Sequence, residues 1–389
     1  VELAWVFLKL GLISFGGPVA HLSYLREEFV SKRRWLDDAA YGDLVALCQF
    51  LPGPASSQVV FALGMQRAGW LGGLLASFCF TLPSAALMIA FAYGVAALGQ
   101  LQYAGWLHGL KLAAVAVVAQ AVWGMGRNLC PDRTRLTIAV AATTLLLIFP
   151  GALAQVCVIS SGGAIGWWLY RKTMPHTGHS SPAVWRHHLV ASGILVVFLL
   201  LLVLLPVMAS MTGRRDIAVF ASFYRAGSLV FGGGHVILPL LRAEVVPNGW
   251  VTDDTFLAGY GAAQALPGPL FTFAGYLGTA IHAGPNAWAS GLWCLFAIFL
   301  PAWLLIAGAL PFWHQLRAKT WTRAALQGAN AAIVGVLLAA LYNPVWTEGV
   351  KDARDAATAM LAFELLQWWR VPPWLIVLLA AAAGQWVLK

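Results

Sequence analysis

Charge is what this chain has least of. Only 10% of its 389 residues are Asp, Glu, Lys or Arg, while 60% are hydrophobic; a soluble domain carries about 25% charged residues. Mean hydropathy is +0.76. That balance excludes a water-soluble globular protein and describes an integral membrane protein. Paired cysteines are also missing. Cys48, Cys79, Cys130, Cys157 and Cys294 form no CxxC pair and mostly lie inside apolar runs, as small buried hydrophobes do. A Gly-rich phosphate loop, a Ser/His/Asp set and paired catalytic carboxylates are all absent, which argues against an enzyme and against ATP-driven transport within the chain. No motif for a cofactor is present. His176, His179, His187 and His188 have no Cys or carboxylate beside them, so they read as a solvated loop and not a metal site. The chain opens at Val1, not Met, without a cleavable signal pattern, so targeting is not judged from it.

What the chain does have is a long internal repeat. Phe7, Gly11, Phe15, Gly16, Gly17, Leu22, Arg26 and Glu28 recur as Phe223, Gly227, Phe231, Gly232, Gly233, Leu238, Arg242 and Glu244, at one offset of about 216. Trp35 and Asp38 are answered by Trp250 and Asp253. Gln49-Phe50-Leu51-Pro52-Gly53-Pro54 is answered by Gln264-Ala265-Leu266-Pro267-Gly268-Pro269. Leu107, Gly109, Ala113 and Val115 align with Leu326, Gly328, Ala332 and Val334. Solenoid repeats run at roughly 20–50 residues, so this is one unit present twice. The first copy is read as 1–170, the second as 215–389, with a polar linker and one extra span at 171–214 between them.

Each copy opens with two Gly/Pro-broken apolar segments, 3–34 and 37–66 in the first, 217–245 and 253–282 in the second. Neither half of a broken segment reaches the roughly 20 residues of a full span. Long apolar stretches follow at 71–98, 107–126, 136–150 and 151–170, then 189–211, and in the second copy at 287–312, 324–342, 356–369 and 373–388. The net charge of +9 sits in short clusters between these runs, which suits topology signals facing the cytoplasm and not a nucleic-acid surface. Arg127, Arg133, Arg135, Arg171, Lys172 and Arg186 fall in loops on one side; loop 99–106 has no Lys or Arg, whereas its counterpart 313–323 holds Arg317, Lys319 and Arg323. The copies are therefore expected to be inverted. Arg214 and Arg215 then lie on the outer side, against the charge rule. The fold class expected is an all-α polytopic membrane protein of two inverted copies, each with two broken helical hairpins plus long transmembrane helices.

At membrane depth an unpaired backbone group costs several kcal/mol, so a break must be buried in protein or line a polar cavity. Pro18 and Pro54 suit helix starts, whose free N–H groups and partial positive charge make an anion site. Isolated packing kinks would account for one break, but less readily for two recurring in both copies. The substrate-binding candidates are Ser14, Gly16, Gly17, Gln49, Gly53, Ser56, Ser57 and Gln58, with Gly232, Gly233, Gly234, His235, Gln264, Gly268 and Thr272 in the second copy. His235, opposite Val19, reads as a proton carrier, an anion contact or a helix-terminal histidine bonded to backbone. Arg26 with Glu28, and Arg242 with Glu244, either pair structurally across the repeat or place the arginines as an electrostatic funnel. Lys111, in mid-span with Asn330 as its counterpart, is an anion-pathway candidate.

The paired Phe-Gly-Gly blocks, the Trp-x-x-Asp that follows each, and the two Gln-x-Leu-Pro-Gly-Pro blocks resemble the chromate ion transporter family in its long two-domain form. The resemblance spans nearly the whole chain except 171–211, and departs from itself where Gly234 replaces Pro18. It implies export of chromate across the bacterial inner membrane, with sulfate as the tetrahedral competitor. The expected partners are thus chromate, sulfate and membrane lipid, with no nucleic acid and with a homodimer left open. A secondary transporter with an anion at the midplane is the reading adopted; a channel-like pore or a carrier for another small anion is the alternative. A chromate reductase would need a cofactor motif that the chain does not have.

Overall fold

A computed structural model of the chain describes residues 2–15, 17–97, 105–171, 188–231, 234–282, 284–313 and 320–386. Among these residues all regular structure is helical. Gly16, Gly232, Gly233, His176, His179, His187, most of loop 99–106 and Arg317 and Lys319 lie outside them.

The first copy opens with α1 (Glu2–Ile13), a break, and α2 (Gly17–Arg26) running into a π turn, Glu27–Lys32. Next come α3 (Asp38–Phe50), the Leu-Pro-Gly-Pro break, and α4 (Ala55–Ala97). Helix α4 bends at Ala68 and Gly69 into a short limb and a long one. Helices α5 (Gly105–Leu129), α6 (Arg133–Ile148) and α7 (Ala152–Tyr170) complete the copy. The extra span is α8, His188–Thr212. The second copy repeats the order: α9 (Arg215–Ser228), a break and a 3-10 turn, α10 (Ile237–Val245), α11 (Asp253–Ala263), a break and a second 3-10 turn, α12 (Phe273–Ile281) and α13 (Ala287–Ala309). It ends with α14 (Thr320–Ala340), α15 (Ala353–Gln367) and α16 (Pro373–Trp386). The caps repeat as well. Asp37 and Thr252 cap α3 and α11, and Asp132 and Asp352 cap α6 and α15, each side chain accepting a backbone N–H of the first turn.

Side-chain contacts at the hairpin ends show which face each hairpin opens on. Arg33 Nη1 lies 2.5 Å from Glu2, so the α1–α2 hairpin returns to the face it started from. The Arg67 guanidinium sits 5.1 Å from the Trp35 ring centroid, so the α3–α4 hairpin returns there too. The long limb of α4 then crosses to the opposite face, where the Tyr93 hydroxyl donates to Pro285 O at 2.8 Å and accepts from Trp288 N at 2.9 Å, at the start of α13. Helices α5, α6, α7 and α8 cross in turn, an odd total that leaves α9 starting on the second face. His282, after α12, lies 3.8 Å from Asp216, near the start of α9, so the broken hairpins of the second copy open on that face. The copies are inverted.

They are also interleaved. A methyl group on Gly109 would lie 2.0 Å from Ala380 O, and one on Gly105 2.1 Å from Gly384 O, so α5 meets α16 backbone to backbone. The same contact joins α14 to α7, where a methyl on Gly328 would lie 2.0 Å from Gly162 O and one on Gly166 2.6 Å from Ala324 O. Small residues four apart permit this approach where lipid supplies no hydrophobic drive between helices. Each copy's terminal hairpin therefore packs on the other copy. One apolar core, including Phe7, Leu44, Phe61, Val118, Phe223, Phe256, Ile298 and Ile333, is shared by both. Helix α8 stands at the edge with Leu189, Leu199, Leu200, Val203 and Leu204 exposed, a surface suited to lipid. Helices α15 and α16, expected as full spans, have only 15 and 14 residues.

Candidate functional site

All four breaks meet through two hydrogen bonds that are copies of each other. Gly53 N donates to Val230 O at 2.6 Å, and Gly268 N donates to Ser14 O at 2.8 Å. Ser14 and Val230 are equivalent in the repeat, as are Gly53 and Gly268. The second break of each copy is thus pinned to the first break of the other. Both glycines have positive φ, +125° and +99°, conformations that side chains with a Cβ rarely adopt. That explains Pro-Gly-Pro in both copies: the glycine turns its N–H toward the opposite copy, and the following proline ends the extended stretch before the next helix.

Around this crossing lie buried polar atoms that have no protein partner. Ser14 Oγ, Ser57 Oγ, Gln58 Oε1, His21 Nε2 and Gln264 Nε2 are all in this condition. Buried polar groups are nearly always bonded, so such a cluster marks a place for a ligand or water. His21 Nδ1 approaches Ser56 Oγ at 3.4 Å, leaving Nε2 unpartnered. Gln58 donates one amide N–H to Pro52 O at 2.8 Å, which fixes the break, while its Oε1 has no partner.

The second copy is more nearly satisfied. Thr272 Oγ1 donates to Pro269 O at 2.9 Å, inside the 3-10 turn Leu270–Thr272. His235 Nδ1 lies 2.9 Å from the Tyr260 hydroxyl, a side-chain partner where a backbone one was among the expectations. Gly234 lies in the 3-10 turn Gly234–Val236; without a proline at this position α10 starts four residues later than α2 does. Gly17 opens α2 directly. Gln49, expected like Gln264 to line the anion site, is exposed on α3, whereas Gln264 is half-buried.

The repeated arginines and glutamates pair within their own copies, not across the repeat. Arg26 Nη2 lies 2.7 Å from Asp38, and Arg242 grips both oxygens of Asp253 at 2.6 and 3.0 Å. These pairs are equivalent in the repeat, which explains why Trp-x-x-Asp recurs behind each arginine. Glu28 takes Arg33 at 2.6 Å, and Glu244 takes Arg225 at 2.5 Å. Lys111 is not in mid-span: it lies in the second turn of α5, near the second face, ion-paired with Asp254 at the start of α11. Arg214, on the second face, is 3.5 Å from Asp216, and Arg215 donates to Ile281 O at 3.4 Å, which gives both arginines local partners.

His21 and Tyr260 escaped the reading of the sequence. His21 aligns with Ile237 and so carried no repeat signal. Its place one turn into the helix after a break was the available hint. No cluster of three or more His, Cys, Asp or Glu suited to a metal ion occurs among the described residues.

The family model described as chromate transporter matches residues 1–167 and again 217–385. A chromate transport protein of Pseudomonas aeruginosa is 31% identical over 98% of this chain and 91% of its own length. A probable chromate transport protein of Synechococcus elongatus is 28% identical over 98% and 94%. An uncharacterized transporter of Methanocaldococcus jannaschii is 24% identical over 86% of this chain and 81% of its own length. No solved structure matches the chain.

Proposed function

Because the chain belongs to the chromate transporter family, we propose that it is a secondary active transporter that exports chromate across the bacterial inner membrane and holds the anion where the four breaks cross. The observation that carries this reading is the reciprocal pair of break-to-break hydrogen bonds, surrounded by the unpartnered donors Ser14 Oγ, Ser57 Oγ and Gln264 Nε2. A tetrahedral dianion offers four acceptor oxygens and needs donors on several sides. The starts of α2 and α4 add free N–H groups and the positive ends of two helix dipoles. Neutral donors suit a carrier, since a fixed cation at the site would hold a dianion too tightly to release.

In this reading residues 1–170 and 215–389 are the two working copies, and 171–214 supplies the odd crossing that inverts them. The first face, with Arg67, Arg127, Arg133, Arg135 and Arg171 at its helix ends, is cytoplasmic by the positive-inside rule. Arg26 and Arg242 act on the anion only at a distance, being occupied by Asp38 and Asp253.

Purified protein in proteoliposomes tests this. Chromate uptake should respond to imposed pH or voltage gradients, fall when sulfate is added, and accelerate when the vesicles are preloaded with chromate. Uptake without acceleration by preloading would make the protein a pore. Loss of chromate absorbance without uptake would make it a reductase.

A further inference from the structure

The two copies have one sequence pattern but differ in how their second hairpins pack, and the difference has a direction. In α11, Asp254 and Gly261 lie against α5, and Ala258 and Ala262 pack in one cluster with Leu107, Leu110 and Ala113 of α5. Lys111 of α5 is paired with Asp254, and a methyl on Gly261 would lie 2.2 Å from Leu110 O. The residues of α3 equivalent to Asp254, Leu257, Gly261 and Gln264 are Ala39, Gly42, Ala46 and Gln49, spaced three and four residues apart along one stripe. All four are exposed, whereas Leu257 and Gly261 are buried and Gln264 is half-buried. Were the copies in the same state, this stripe would be covered by α14 as α11 is covered by α5. It is exposed instead, at all four residues from Ala39 to Gln49. Lipid does not explain the opening. The lipid-suited edge of the molecule shows Leu and Val, while this stripe is Ala, Gly, Ala and Gln, and an amide exposed to hydrocarbon is costly.

We infer that the structure is the state open to the first face: the α3 stripe lines an aqueous path from that face to the breaks, while α11, latched to α5 by Lys111 and Asp254, closes the path from the second face. Exchange of the packing of α3 and α11 between the copies then gives the opposite state, the rocking that inverted repeats allow. The latch is one-sided. Its counterparts in the repeat are Asn330 and Ala39, neither of them charged, and Ala46 puts a methyl group where Gly261 has none. Closure at the first face therefore has no ion pair and a wider helix separation, which biases the resting protein toward the first-face-open state.

The inference rests on the transport reading for its purpose, but its test needs no chromate. Ala46→Cys and Leu257→Cys are placed separately in the full chain, in inside-out and right-side-out membrane vesicles. A membrane-impermeant thiol reagent is added, and labelling is resolved by site with mass spectrometry. Ala46→Cys should react from the first face at least about tenfold faster than from the second. Leu257→Cys should be slow from both. Adding Lys111→Asn with Asp254→Ala, which gives the latch the uncharged chemistry of the other copy, should raise Leu257→Cys labelling from the second face and lower that of Ala46→Cys. The inference is overturned if Ala46→Cys reacts equally from both faces, reacts from neither, or forms a crosslink to a second copy. It is equally overturned if opening the latch changes neither rate. Chromate uptake measured in parallel separates the two claims: sided labelling without uptake removes chromate but keeps the gate, and uptake without sided labelling does the reverse.

Discussion

Helices α3 and α11 descend from one pattern, yet one is bare along a whole face and the other is buried over most of its length. The polar groups beside them differ in the same sense. Ser57 at the start of α4 has no partner, while Thr272, its equivalent, is satisfied by Pro269. Such a contrast teaches that the repeat sets the architecture and that a few unmatched residues decide which copy is closed. Lys111 and Asp254 are the clearest of these.

The largest effect should come from unpicking that pair, and it should depend on which partner is removed. Lys111 is buried, at 7% exposure, whereas the Asp254 side chain is 64% exposed. Asp254→Ala leaves the ammonium of a buried lysine without its partner and should cost about 1–3 kcal/mol, less than a fully buried pair because Asp254 is largely exposed. Lys111→Ala strands only a solvated carboxylate, with the lost attraction screened by water, and should cost no more than about 1 kcal/mol. Thermal unfolding in detergent would rank them. Equal costs, or the reverse order, would mean that the lysine is not held in a buried site. The double change Lys111→Asn with Asp254→Ala removes both charges together and should recover most of the loss.

Where the copies are packed alike, their variants should behave alike. Gly109→Ala and Gly328→Ala each press a methyl group toward a carbonyl oxygen that would lie 2.0 Å away. Each should destabilise by about 1–3 kcal/mol through overpacking, with the two values close together. A large difference would show that one of the α5–α16 and α7–α14 contacts is looser than the other.

Much of this fold was legible because membrane insertion leaves few options. Gly and Pro at membrane depth announce breaks, long apolar runs announce spans, and basic loops announce sidedness. The inversion followed from the loop charges and from the single extra helix α8. The interleaving was not legible: Gly105, Gly109, Gly328 and Gly384 mark small-residue surfaces but do not name the helix each will meet. Partner choice also hid the role of Trp-x-x-Asp, because Asp38 lies twelve residues after Arg26 and is brought to it only by the chain turning between α2 and α3. Lys111 was misplaced in depth because the residues on both sides of it are apolar and do not mark the helix end, and its partner Asp254 comes from the other copy. His21 was missed because repeat matching selects what both copies share, and the site leans toward what they do not.

The reciprocal breaks offer a smaller and sharper test. Gly53→Ala and Gly268→Ala force a Cβ into positive φ, at about 1–2 kcal/mol each, and the added carbon would lie 2.8 Å from Gln58 Nε2 in one case and 2.7 Å from Ser84 Oγ in the other. Stability should fall by similar amounts in both. Chromate uptake should fall at least about tenfold, beyond what the loss of folded protein explains, because each glycine N–H holds the other copy's break in place. Normal uptake at normal affinity in both variants would confine these glycines to packing.

The smallest effects should come from the arginines, and here the copies differ again in degree. Arg26 and Asp38 are 53% and 63% exposed, while Arg242 and Asp253 are 26% and 23% exposed and bonded through two nitrogens. Each aspartate also sits in the first turn of a helix, where the dipole favours its charge without the arginine. Arg26→Gln should therefore cost well under 1 kcal/mol, as exposed pairs do, and Arg242→Gln about 0.5–1.5 kcal/mol for its more buried hydrogen bonds. Neither arginine is a free charge, so their pull on an approaching anion is partly cancelled by Asp38 and Asp253. What remains is screened over a Debye length of about 8 Å at physiological salt. Uptake by the Arg26→Gln variant should be reduced modestly at low ionic strength and should match the parent as salt rises. The Arg242→Gln variant should show a deficit that salt changes less, because its pair is shielded from solvent. If Arg26→Gln abolished chromate binding at every salt concentration, its guanidinium would have to leave Asp38 and reach the anion, and the crossing of the breaks would no longer be the whole site.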